Sequence, residues 1–129
     1  MRPSSKHLNL IFLYRLPVLA LCTFIAWQSS YPSLISEPLF AYDDKVIHFG
    51  VYALLAILCA RDLTAEKPFW SPVKITIITI FFSCFFGISD EIHQAFVPSR
   101  CASVPDIIAD GAGSIAGCLF YLNFSSQKK

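Results

Sequence analysis

Residues 73–88, VKITIITIFFSCFFGI, are the stretch on which the reading of the fold turns. Their side chains are apolar or small on every face of a helix, and the only charge is Lys74, near the start. A helix of a soluble protein keeps one wet face, so this pattern belongs to a helix surrounded by apolar material. A bilayer core about 30 Å thick needs roughly 20 such residues, or fewer where polar ends reach the headgroups.

Outward from this stretch, residues 8–27, 46–60 and 107–124 have the same character, with Tyr14, Arg15 and Pro17 interrupting the first. Short polar connections separate them: Ser29-Ser30-Tyr31-Pro32-Ser33 with Glu37-Pro38, then Glu66-Lys67-Pro68 with Ser71-Pro72, then Pro98-Ser99-Arg100 with Pro105. The expected architecture is all-α, a single domain over 1–129 built as an integral membrane bundle of four transmembrane helices. It is multi-pass in the cell membrane, with the lipid bilayer as its main partner. Composition agrees, since 55% hydrophobic residues against 15% charged exceeds the apolar share of soluble chains. A rival reading exists for the first stretch. Arg2 and Lys6 ahead of the apolar run 16–27 also fit a secretory signal peptide, whose removal leaves three spans, although Gln28-Ser29-Ser30-Tyr31 is a poor small-x-small cleavage site.

Ten Lys plus Arg against nine Asp plus Glu leave no strongly basic surface, which argues against nucleic acid as a partner. The cysteines Cys22, Cys59, Cys84, Cys101 and Cys118 are scattered singly, without the paired spacing of a structural zinc site. Four lie inside apolar runs, where a thiol behaves as a small hydrophobe, and Cys101 lies in a polar loop.

Lys and Arg near the membrane ends set orientation. Arg2, Lys6, Arg61, Lys67, Lys74, Lys128 and Lys129 fall on one side, and only Lys45 and Arg100 on the other. Both termini are therefore expected to be cytoplasmic. The start of the second helix, the end of the third and the start of the fourth then meet at the extracytoplasmic face. Asp43-Asp44-Lys45 and His48 open the second, Asp90-Glu91-Ile92-His93-Gln94 closes the third, and Arg100, Asp106 and Asp110 lead into the fourth. Ionisable groups at membrane depth are costly and normally face a bundle interior or a wet cavity.

Helical spacing sharpens this convergence. Asp44 and His48 share a face, with Tyr52 one turn deeper. On the third helix Ser83, Gly87, Asp90 and Gln94 lie within about 60° of one another, flanked by Glu91 and His93. On the fourth, Asp106, Asp110, Gly113 and Gly117 form another such stripe, a Gly-xxx-Gly track that admits a close neighbour. The simplest packing sets this track against the third helix, with Asp106 and Asp110 opposite Glu91 and Gln94.

Bland alternatives stand beside each candidate. Asp44 and Asp106 fit helix starts, where a carboxylate meets free N–H groups and the positive dipole end. Lys45 can snorkel to the headgroups. His48 and His93 each suit hydrogen-bonded interior histidines. Asp90, Glu91 and Asp110 resist such readings, because adjacent carboxylates near the negative pole of a helix need partners, and Arg100, Lys45 and the histidines are those available.

The ordered set Asp44-Lys45-Val46-Ile47-His48-Phe49, Asp90-Glu91-Ile92-His93-Gln94 through Arg100, then Ser103, Asp106 and Gly113 to Gly117 resembles the VanZ-like membrane proteins. The resemblance spans residues 44–117 and implies a small multispan protein of a family named for a teicoplanin-resistance member. Lys45, His48, Glu91, Gln94, Arg100 and Asp106 match its motif positions. Asp110 stands where the family pattern has Asn, which adds a negative charge.

The expected function is an accessory binding role in the cell envelope, in which the polar pocket grips a lipid-linked envelope precursor or a glycopeptide. Arg100 and Lys45 suit phosphate, while the carboxylates and Gln94 suit sugar or amide donors. The alternative is a membrane-embedded hydrolase or transferase with Glu91 or His48 as general base. No cofactor is expected, with one open exception, a divalent metal between Glu91, Asp106 and a histidine. A four-span exporter fits less well, because the first helix holds no carboxylate. If the Lys and Arg asymmetry sets orientation, reporter fusions after Arg61 and Lys129 read as cytoplasmic and those after Glu37 and Ser99 as extracytoplasmic. The reverse pattern would place the polar cluster on the inner face.

Overall fold

The computed structural model describes residues 5–32 and 40–126, with side chains from residue 8 onward. Arg2, Ser33, Glu37, Pro38, Lys128 and Lys129, which entered the reading of loops and orientation, lie outside the described residues, as does the Lys6 side chain. Among the described residues four helices are long and apolar enough to cross a membrane, and there is no strand. The first span is Leu8–Ser29, the second Asp43–Glu66, the third Pro72–Gln94 and the fourth Val104–Ser126.

The second and third spans run well past their apolar stretches. Asp43 and Asp44 occupy the first turn of the second, and the polar run Ser89 to Gln94 completes the third. Hydropathy marks where side chains leave the lipid, whereas the backbone continues for as long as each N–H keeps its partner four residues back. At the start of the third span the Ser71 hydroxyl accepts the Lys74 N–H at 3.2 Å, ahead of Pro72 in the first turn.

Tyr14, Arg15 and Pro17 do not break the first span. Ile11–Arg15 winds as one wider π-type turn, closed by the Leu16 N–H on the Ile11 carbonyl, and Pro17 follows at once. Proline supplies no N–H and its ring crowds the carbonyl one turn back, which a local change of winding absorbs. Arg15 is also satisfied: it contacts the Glu66 carboxylate and lies 3.7 Å from Asp62 at the end of the second span. Beside it the Arg61 guanidinium sits 4.6 Å over the Tyr14 ring.

The second span lies at the centre. Its Tyr52, Leu55 and Cys59 pack with Val18 and Ile25 of the first span, and its Ala56 and Ala60 with Ile75 of the third and Cys118 of the fourth. Phe81, Phe85, Phe120 and Phe124 point outward and exposed, as suits side chains that meet lipid.

The glycine track of the fourth span is buried as its spacing predicts, but it faces the second span and not the third. A Cβ at Gly113 would collide with the Phe49 carbonyl, and one at Gly117 with that of Ala53. Lipid tails are as apolar as leucine, so helices in a membrane associate through close packing, and small residues permit it. The third span meets the fourth elsewhere: a Cβ at Gly87 would stand 2.8 Å from Asp110 Oδ2.

Gly117→Val should therefore lower stability by about 1–3 kcal/mol, the usual cost of overpacking a tight contact. Gly50, with nothing within 4 Å of the position of its missing Cβ, should tolerate alanine with no loss. Thermal unfolding in detergent checks both. Equal midpoints for Gly117→Val and wild type would refute the close approach.

Candidate functional site

The close pass of the fourth span along the second puts the acidic stripe of the one beside the basic residues of the other. Lys45 Nζ, in the first turn of the second span, lies 2.5 Å from Asp44 Oδ2 and 2.8 Å from Asp106 Oδ1. Asp44 is exposed, whereas Asp106 is buried in the first turn of the fourth span. Lys45 thus bridges two helices rather than only reaching for headgroups. One turn deeper, His48 Nδ1 lies 2.9 Å from Asp110 Oδ1. The His48 ring is stacked on Tyr52 below it, with centroids 6.5 Å apart.

Glu91 of the third span completes this group. Its Oε2 accepts the Ser103 N–H at 2.8 Å, which ties the third connection down onto the site. Its Oε1 faces His48 Nε2 across 4.0 Å, too far for a hydrogen bond. Glu91 and Asp110 are each only 1% exposed, yet Glu91 Oε1, Asp110 Oδ2 and the Tyr52 hydroxyl have no hydrogen-bond partner. Buried polar atoms are normally satisfied, and an orphaned carboxylate oxygen is the costliest kind.

A second polar group lies toward the first span. Asp90 Oδ1 is in hydrogen-bonding contact with the Ser29 hydroxyl, and Asp90 Oδ2 accepts from Gln94 Nε2 at 3.0 Å. Gln94 Nε2 is also 3.4 Å from Ser29 Oγ. Ser29 is the site residue that sequence reasoning missed. Its run of serines reads as a turn, and only the packing of the first span against the third reveals its buried hydroxyl.

Two candidates are placed apart from the rest. His93 points away from the Glu91 side and meets the Ser30 hydroxyl at 3.0 Å, at the edge of a smaller cavity. Among the described residues Arg100 makes no ion pair, and its Nε is buried without a hydrogen-bond partner. Of the partners that the sequence offers, Lys45 meets Asp106 and His48 meets Asp110, whereas Arg100 pairs with none of the carboxylates among the described residues. Asp106 and Asp110 also divide their partners. Asp106 is drawn to Lys45 near the rim, and Asp110 is the carboxylate that meets the histidine.

Arg100 instead lines an open cavity of about 260 Å³ between the first three spans. Gln28, Ser29, Asp44, His48, Asp90 and Gln94 share its polar wall, and Phe24, Ile25, Ile47 and Val51 its apolar one.

Four helices that can cross a membrane, with ionisable side chains gathered at one end and a cavity between the first three, define a multi-pass membrane protein. The family model for VanZ/LLP1 matches residues 2–125, and the chain belongs to that family. Comparison with curated proteins and with solved structures gave no match.

Proposed function

We propose that the protein binds the charged head of an amphiphile at the extracytoplasmic face of the cell membrane, the head being that of a lipid-linked envelope precursor. The observation that carries this reading is the cavity between the first three spans. Its polar wall holds Arg100, which among the described residues makes no ion pair and whose Nε has no hydrogen-bond partner, and its other wall is apolar. Arg suits a phosphate because its planar fork donates two parallel hydrogen bonds. Phe24, Ile25, Ile47 and Val51 offer the first methylenes of a lipid tail a dry surface.

Size separates this ligand from a glycopeptide. Drug-sized molecules fill cavities of about 300–1,000 Å³, and a space of about 260 Å³ suits a phosphate head with part of its tail. A glycopeptide antibiotic is far larger and would touch the rim alone. A role resembling teicoplanin resistance then follows from handling the envelope precursor rather than from gripping the drug.

The test is binding of a fluorescent short-chain polyprenyl pyrophosphate to the protein in nanodiscs, with the matching neutral polyprenol as control. The pyrophosphate should bind and the polyprenol should not. Arg100→Lys, which keeps the charge and loses the fork, should weaken binding about tenfold, equivalent to roughly 1.4 kcal/mol. Equal affinity for both lipids, or an unchanged Kd in Arg100→Lys, would refute the proposal.

A further inference from the structure

His48, Glu91 and Asp110 come from three different spans, and one ligand atom from each lies within 4.8 Å of the other two. Donors that share one ion at about 2.0–2.6 Å stand at most about 4–5 Å apart, so the set is already within reach of a common centre. An ion takes only one nitrogen of an imidazole, and the single ligand atom that His48 offers lies within 4.8 Å of an oxygen of each carboxylate. A cluster of acids alone would prove little. Here Glu91 and Asp110 are each 1% exposed, and each keeps one oxygen without a hydrogen-bond partner, that of Glu91 facing the His48 ring.

Charge makes the same case. Asp106 is paired with Lys45, and among the described residues the one cation within 4.0 Å of Glu91 and Asp110 is His48, charged when its imidazole is protonated. One negative charge stays uncompensated at membrane depth, where charge is most costly. A divalent cation with a neutral imidazole balances both carboxylates at once.

We infer that His48, Glu91 and Asp110 form a binding site for one divalent metal ion. Two carboxylates and an imidazole, with no thiolate among them, select a hard or borderline ion such as Mn²⁺ or Zn²⁺ over a soft one. The inference differs from the sequence expectation in its acid, since Asp110 and not Asp106 shares the histidine. It does not depend on the lipid proposed above, and the metal alone tests it.

The experiment titrates chelator-treated protein in neutral detergent with Mn²⁺, followed by electron paramagnetic resonance. One saturable ion per chain is expected, with a nitrogen coupling from an imidazole ligand and displacement by Zn²⁺. Glu91→Gln and Asp110→Asn should each weaken binding at least tenfold, while Asp62→Asn, at the opposite end of the bundle, should change it less than threefold. His48→Gln should abolish the nitrogen coupling. The coupling in the wild-type protein requires no variant to fold. Its absence, the lack of saturable binding at millimolar Mn²⁺, or wild-type affinity in Glu91→Gln or Asp110→Asn would overturn the inference.

Discussion

The contact on which everything else rests is the backbone approach of the fourth span to the second, at Gly113 against Phe49 and Gly117 against Ala53. With no side chain at either glycine, the two helices meet carbonyl to Cα, closer than any larger residue permits. Asp106 and Asp110 lie on the same stripe as the glycines, and Lys45 and His48 precede Phe49 by one turn or less. The same approach therefore sets Asp106 at 2.8 Å from Lys45 and Asp110 at 2.9 Å from His48.

The arrangement concentrates its electrostatic cost at one end of the bundle. At the other end Arg15 answers Asp62 and Glu66 directly, an ion-pair group that fastens the first span to the second. At the site end compensation is incomplete: among the described residues Arg100 has no ion pair, and the buried oxygens Glu91 Oε1 and Asp110 Oδ2 have no hydrogen-bond partner. A fold selected for stability alone would carry apolar side chains at Glu91 and Asp110, because a buried charged group rarely repays its desolvation. Their burial with an unpartnered oxygen each is a cost that packing alone does not explain.

Much of this was legible in the sequence. The four spans followed from apolar length, the buried stripes Ser83, Gly87, Asp90, Gln94 and Asp106, Asp110, Gly113, Gly117 from helical periodicity, and the family from the ordered motif. The partner of the glycine stripe was not legible, since a small-residue track says that some helix comes close without saying which. The sequence also could not divide the acids between Lys45 and His48, because two carboxylates on one stripe differ only in depth. Arg15 looked like an interruption because its partners lie about fifty residues away, at Asp62 and Glu66.

The glycine approach brings His48 and Asp110 into contact. The direct measurement is solid-state NMR dipolar dephasing of ¹⁵N-labelled histidine by ¹³Cγ-labelled aspartate, in the protein reconstituted into bilayers. One histidine should show strong short-range dephasing, consistent with Nδ1 and Oδ1 at 2.9 Å. That signal should vanish in Asp110→Asn and fall sharply in Gly113→Val. No dephasing of His48 in the wild-type protein, or a signal unchanged by Gly113→Val, would contradict this contact.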